Sequence, residues 1–248
     1  MTSCRARFLP AVIALVTLLA ACSINVDIGT KDIEGSGDVE TRTYSLTNFD
    51  QLDVSSAFVA DVTVVPGGEY QVEVSADDNL FEELLIEVDG DTLEIGVRSE
   101  WRVRTEIPLI ATVTMPALKA LEASGAAHVT VAADGTDIDN IEASGASTVR
   151  VTDLDGTDIS IDASGASTVE LMGIRAEEVS IDASGASRVD LRDLPIENGN
   201  VDASGASVVE FGSAAEVDGN ASGASSVRVE PSTDVDVDTS GGSSVDVS

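Results

Sequence analysis

Between Leu121 and Ser248 apolar and polar residues alternate with a period of two, and the alternation itself recurs at a fixed interval. The tripeptide Ser-Gly-Ala begins at Ser124, Ser144, Ser164, Ser184, Ser204 and Ser222, and Ser-Gly-Gly begins at Ser240, so the interval is 20 residues four times and then 18 twice. Five residues after each serine stands a valine: Val129, Val149, Val169, Val189, Val209, Val227 and Val245. Two residues later the position is again apolar (Val131, Val151, Leu171, Leu191, Phe211, Val229, Val247). The residue between is polar (Thr130, Arg150, Glu170, Asp190, Glu210, Arg228, Asp246). Apolar, polar, apolar is the pattern of a strand with one buried face. A second short strand precedes each glycine, as in residues 159–163 and 179–183.

A fixed period of this length marks a repeat architecture. One 20-residue unit has too little apolar surface to bury alone and needs neighbours above and below. No unit contains a crossover helix and the stretch has no 3.6-residue period, so like positions lie over like positions about 4.8 Å apart. The pattern therefore predicts an all-β chain folded as a parallel β-helix with about 20 residues per coil. The glycine column marks a corner where the chain bends with φ > 0 or passes close to the next coil.

The repeat reaches, degraded, into the first half. Leu52-Asp53-Val54-Ser55-Ser56-Ala57 parallels Ile181-Asp182-Ala183-Ser184-Gly185-Ala186, and Asp61 and Val62 then match Asp190 and Leu191. Further strands are expected at residues 70–75, 85–88 and 93–97, with turns at Pro66-Gly67-Gly68 and Asp89-Gly90-Asp91. Residues 77–84 read as one helical turn, a candidate cap. The organisation expected is one continuous β domain over 38–248, with irregular coils over 38–120 and regular ones over 121–248.

The first residues have a different character. Arg5 and Arg7 precede an uncharged apolar run, Phe8 to Ala21, shorter than the roughly 20 residues of a spanning helix. Such a segment is an export signal. The boundary Leu19-Ala20-Ala21-Cys22 matches the bacterial lipobox. Residues 1–21 are therefore read as a lipoprotein signal peptide, and Cys22 as the lipidated first residue of the mature chain. Acyl chains anchor at roughly 0.8 kcal/mol per buried methylene. Residues 22–37 are read as anchor and tether. Cys4 leaves with the leader, so no thiol remains for a disulfide.

Charge narrows the partners. The chain has 13 basic and 45 acidic residues; without Arg5 and Arg7 the balance is 11 against 45, a net charge of −34. Nucleic acid and anionic lipid surfaces are repelled, and cations or basic partners are the natural company.

Two features are candidate sites. Two residues before each serine runs an acidic column, Asp53 in the degenerate coil and then Glu122, Glu142, Asp162, Asp182, Asp202, Asn220 and Asp238. Stacked in register, neighbouring carboxylates repel by roughly 0.9 kcal/mol even in water. Either solvent and salt screen them or cations bridge them, and Ca²⁺ suits stacked carboxylates. The Gly-Gly-x-Gly-x-Asp nonapeptide of dedicated calcium β-rolls is absent, so only weak, non-specific binding by Glu122, Glu142, Asp162, Asp182 and Asp202 is expected. The second feature is Arg98, Trp101, Arg102 and Arg104 around Glu100. It reads as a ligand patch for anionic or sugar groups, or else as a loop whose arginines pair with nearby acids.

Catalytic constellations are not legible. Carboxylates are so frequent that a pair of them carries no argument. His128 is the sole histidine and has no cysteine or histidine partner for zinc or a triad. Aromatic residues make up 3% of the chain, too few for a sugar-stacking groove.

Several segments together resemble a known family, the bacterial head GIN domain, also labelled auto-transporter adhesin. They are Gly35-Ser36-Gly37-Asp38-Val39, Phe49-Asp50-Gln51-Leu52-Asp53-Val54, Asp77-Asp78-Asn79-Leu80, Gly90 with Leu93 and Ile95, Pro116-Ala117-Leu118, and the serial Ser-Gly-Ala motifs. The resemblance implies a right-handed β-helix at the cell envelope and brings no catalytic residues with it. Ser56 departs from it by standing where later coils have glycine.

The leading expectation is thus a non-enzymatic, surface-anchored lipoprotein whose acidic face serves binding or adhesion at the cell envelope, on the outer face of the cell membrane or the outer membrane. Its envelope ligand is unidentified; no cofactor is required, with Ca²⁺ the one candidate. A monomer is expected, because Asp234, Asp236, Asp238 and Asp246 oppose stacking at the C-terminal edge. A structural or stress-related envelope protein ranks second and a polysaccharide-processing enzyme third.

Overall fold

Two columns of strands run the length of the molecule, one on each side of the Ser-Gly-Ala corner. The computed structural model describes residues 30–231 and 234–248; the leader, Cys22 and residues 23–29 lie outside the described residues. All its regular elements are strands. On the near side of the corner the parallel order is Thr92–Val97, Gln51–Val54, Ala120–Ala123 and Asn140–Ala143, continuing through the later coils to Asp234–Thr239. On the far side it is Leu109–Met115, Phe58–Val64, His128–Ala132 and onward to Ser244–Val247. The register is the one the repeat dictates: Val149 lies over Val169, and Asp162 over Asp182. The change of interval from 20 to 18 is absorbed without a slip, since Ala203 still pairs with Ala221.

Inward positions of both columns form one core reaching from Phe49 to Val229. At the corner the glycines all have left-handed backbone, φ +71° at Gly185 for example. A Cβ there would lie 2.6 Å from the carbonyl oxygen of Gly165 in the coil beneath. Both reasons for glycine therefore apply at once. The corner peptides are laddered as well, Ala186 N–H donating to Gly165 O at 2.7 Å. Ser56 adopts φ +68°, so the first corner has the same shape. It tolerates a side chain because the strand beneath, Thr92–Val97, does not turn there, and Ser56 Oγ accepts from Val97 N at 3.3 Å instead.

The first half differs from a simple run of coils in two ways. The coil 92–115 does not follow the coil 51–64 in the stack toward the C-terminus but lies on its other side, so the earliest coil is interior. Beyond it the pairing turns antiparallel. Leu84–Asp89 closes one column through a hairpin with Gly90 at φ +60°. Gln71–Asp77 and Val39–Tyr44 close the other. This is the cap. The expected helical turn at 77–84 is instead a pair of tight turns, with Leu80 N–H bonded to Asp77 O and Glu83 N–H to Leu80 O. Both are i to i+3 bonds, and Leu80, Phe81 and Leu84 anchor the segment on the core without a helical ladder.

Part of the segment read as tether is structured: Lys31–Glu34 pairs in parallel with Trp101–Arg104 as a separate two-stranded sheet. The Gly35-Ser36-Gly37 and Asp77-Asp78-Asn79 motifs fasten this sheet to the cap. Buried Asp77 accepts from Gly37 N–H and Thr105 Oγ1, and Gly35 leaves no room for a Cβ against its carboxylate. Asn79 bonds both Ser36 N–H and Glu34 O.

Candidate functional site

The near column carries its acids outward in one continuous ladder. Asp53, Glu122, Glu142, Asp162, Asp182, Asp202, Asn220 and Asp238 are successive cross-strand partners. The cap extends it by Glu94 beside Asp53 and Glu87 beside Glu94, two members that the repeat alone did not reveal. Among the described residues no lysine or arginine comes within 4.0 Å of any of these carboxylates. Two asparagines give partial relief, Asn220 donating to Asp202 and Asn140 to Glu142.

The electrostatic consequence is a set of raised pKa values. Burial pushes the Asp53 carboxyl up. Burial, and then the neighbouring charges of Asp53 and Glu142, push up Glu122. Burial, and then Asp182 and Glu142, do the same at Asp162. One oxygen of Asp53 is out of contact with solvent and has no hydrogen-bond partner.

The other column treats its acids in the opposite way. Asp190 and Glu210 lie in adjacent coils and are nearly buried, and three arginines meet them. Arg192 grips Asp190, Arg188 reaches Glu210 and Asp190, and Arg228 binds Glu210 at 2.6 Å. Arg192 holds the Asp190 carboxyl below the usual range. Arg150 and Glu170 pair at 2.5 Å further along. Arginines thus neutralise Asp190 and Glu210 on this column, whereas the outward ladder has no basic partner among the described residues.

The ladder's atoms do not form a cage. Among the described residues no three acidic, histidine or cysteine side chains converge closely enough to hold a metal ion. What the ladder offers is a line of oxygens at strand spacing, about 4.8 Å per step.

The basic patch is divided by its own backbone. Its residues form a strand, Trp101–Arg104, and not the loop that one reading of the sequence gave. Alternation turns Trp101 and Val103 inward while Arg102 and Arg104 are exposed. Arg98 stands apart at the preceding bend, where its carbonyl accepts from Trp101 N–H. Lys31, from the partner strand, lies over the Trp101 ring at 4.9 Å. Arg104 pairs with Asp32 at 3.7 Å, whereas Arg98 and Arg102 have no acidic partner among the described residues.

A family model described as "Putative auto-transporter adhesin, head GIN domain" matches residues 48–232. No curated protein matches the chain. Among solved structures, a putative adhesin from Bacteroides fragilis superposes with a TM-score of 0.78 at 18% identity, covering 87% of this chain and 100% of that one. A putative lipid binding protein from Parabacteroides distasonis gives 0.72 at 17% identity, with 88% and 100% covered. A putative adhesin from Parabacteroides merdae gives 0.66 at 16% identity, with 88% and 99% covered.

Proposed function

The chain belongs to the head GIN domain family, and from that premise we propose that it is a non-enzymatic, lipid-anchored envelope protein whose bare carboxylate ladder is its binding face. The observation that carries the reading is the contrast between the two acidic columns. A sequence that supplies three arginines to Asp190 and Glu210 supplies none to the ladder. Repulsion sustained along a whole face is a cost to stability, and it is retained where the charge meets something outside the molecule. The adhesin names of the family and of its structural neighbours agree with a role in contact at the surface.

The partner class follows from the chemistry. A row of carboxylates recognises basic protein segments, and calcium between two such rows joins an acidic glycan or a second acidic surface. With no convergent cage, the calcium held is weak and exchangeable. The test is retention of basic proteins and of glycans, with and without Ca²⁺, on the immobilised chain from Ser23. Replacing Asp162, Asp182 and Asp202 by asparagine is expected to weaken retention about tenfold, while replacing Asp234, Asp236 and Asp246 is not. Equal losses in the two variants would mean that only net charge matters.

The anchor has its own test. In a bacterial host the wild type is expected in the detergent phase of a Triton X-114 separation. Cys22→Ser is expected in the aqueous phase, because acyl chains are what hold it. A Cys22→Ser protein that still partitions with detergent rules out lipidation at this residue.

A further inference from the structure

Four strands end the solenoid among the described residues, and each is paired along one edge only. They are Leu84–Asp89 and Val39–Tyr44 at the cap, and Asp234–Thr239 and Ser244–Val247 at the other end. An open edge invites a further strand, and charge along it is a common safeguard. Three of the four carry acids and no basic residue: Glu87 and Asp89 in the first, Asp234, Asp236 and Asp238 in the next, Asp246 in the last. Val39-Glu40-Thr41-Arg42-Thr43-Tyr44 differs. It has no net charge and neither proline nor glycine, in a chain of net charge −32, and its Val39 is 62% exposed.

The backbone fixes what this edge accepts. Asp78 N–H donates to Asp38 O at 2.9 Å, and Val39 stands opposite Asp77. By the alternation of an antiparallel ladder, Glu40, Arg42 and Tyr44 turn their backbone groups toward Gln71–Asp77, whereas Val39, Thr41 and Thr43 turn theirs to the open edge. A second copy running antiparallel presents the same spacing. Centred on Glu40 or on Arg42, the two copies would set like charges against each other. Centred on Thr41, they set Glu40 opposite the partner's Arg42 twice, at the closer, non-hydrogen-bonded positions. That register also places Val39 opposite the partner's Thr43, two β-branched residues on the outer face.

The inner face selects the occupant. Glu40 and Arg42 lie on the side of buried Ala76 and Val74, paired with each other at 3.0 Å, with Arg42 over the Phe81 ring at 4.1 Å. Charges turned to the inner side obstruct an unrelated apolar strand, but a second copy brings their complement. We propose that Val39–Tyr44 is a self-recognition edge, through which two copies join antiparallel about a twofold axis at Thr41 to make one continuous sheet across both caps. The two solenoids then point apart, so the carboxylate ladders are not brought together, and the pairing is independent of what the ladders bind. A ribbon of six residues is small beside standard interfaces, so the dimer is reversible. Salt strengthens it by screening the net charge of the two chains.

The chain from Ser23 keeps every described residue and has no cysteine. Its sedimentation is followed from about 20 to 500 µM in physiological salt, where monomer is expected to pass reversibly to dimer and no further. Glu40→Arg and Arg42→Glu are each expected to weaken the dimer about tenfold, and an equimolar mixture of the two to restore it, because opposite charges again face each other in the mixed pair. Under mild oxidation Thr41→Cys, on the axis, is expected to form a covalent dimer at least about tenfold faster than Val39→Cys, which stands away from it. Far-UV circular dichroism verifies that each variant is folded. A monomer throughout, a dimer indifferent to both charge variants, no recovery in the mixture, or equal cross-linking at the two positions would each overturn the proposal. So would capture of an unrelated strand-forming peptide by a chain that does not pair with itself.

Discussion

Replacing Gly185 by alanine is expected to destabilise the protein by about 2–5 kcal/mol, from a left-handed backbone cost of about 1–2 and a packing cost of about 1–3. The first cost comes from φ +71° at this residue. The second comes from the new Cβ, which would lie 2.6 Å from the Gly165 carbonyl oxygen. That oxygen also accepts the ladder bond from Ala186 at 2.7 Å, so the coils cannot separate to make room without losing it. For a domain of this size the melting temperature should fall by roughly 10 °C. Ser56→Gly is the control. The same backbone conformation already carries a side chain there, so the change should stay within about 1 kcal/mol, relief of strain offsetting loss of the Val97 contact. A Gly185→Ala protein melting within two or three degrees of wild type would show that the corner is looser than its spacing implies.

Mild acid is expected to stabilise this protein. Asp53, Glu122 and Asp162 have folded pKa values raised above their unfolded ones. Each therefore contributes stability that is fully present below its unfolded pKa and is lost as pH rises through its folded pKa. Asp190 has the opposite sign: its pKa is depressed by Arg192, and its contribution is present above the unfolded value and lost as pH falls through the folded one. The melting temperature should thus rise as the pH is lowered from neutral toward the ordinary carboxylate range of roughly 4, and fall again below that range. Salt at pH 7.5 should reproduce part of the rise by screening the ladder. Asp162→Asn should raise the starting point and shrink the climb. A melting temperature that is flat or declines as the pH falls from neutral toward about 4 would mean that neither burial nor repulsion penalises the charge of these carboxylates.

The sequence was most readable where each residue had the same neighbours as its counterpart one interval away. Val149, Val169 and Val189 meet nearly identical surroundings, so a column in the alignment is a column in space. Even Ser56 obeyed, because Leu52, Val54 and Val62 kept the register around it. Legibility stopped where partners came from elsewhere in the chain. Period-two alternation in residues 71–77 and 84–89 announces strands but not their antiparallel partners, nor that coil 92–115 passes to the far side of coil 51–64. Residues 77–84 carry helix-favouring leucine and glutamate, yet the bonds that Asp77 makes to Gly37 and Thr105 fix the chain in turns. In the basic patch three arginines obscured the alternation of Trp101 and Val103. A column of serines three residues after the corner serine, Ser147, Ser167, Ser187, Ser207 and Ser225, is buried, which its residue type does not signal because serine is ordinarily a surface residue. Ser147 and Ser225 spend their hydroxyls on carbonyls of the neighbouring coil.

The interior position of coil 51–64 makes the molecule extensible at one end only. Both faces of that coil are occupied, one by the capped coil 92–115 and the other by Ala120–Ala132, so a unit inserted between residues 64 and 120 finds no vacant neighbour. A unit added among the later coils meets the same corner, the same valine and the same ladder as every other. It lengthens the solenoid by one strand spacing, about 4.8 Å, with the cap undisturbed. Length can therefore change by whole units among the later coils, while the capping turns at the other end stay as they are.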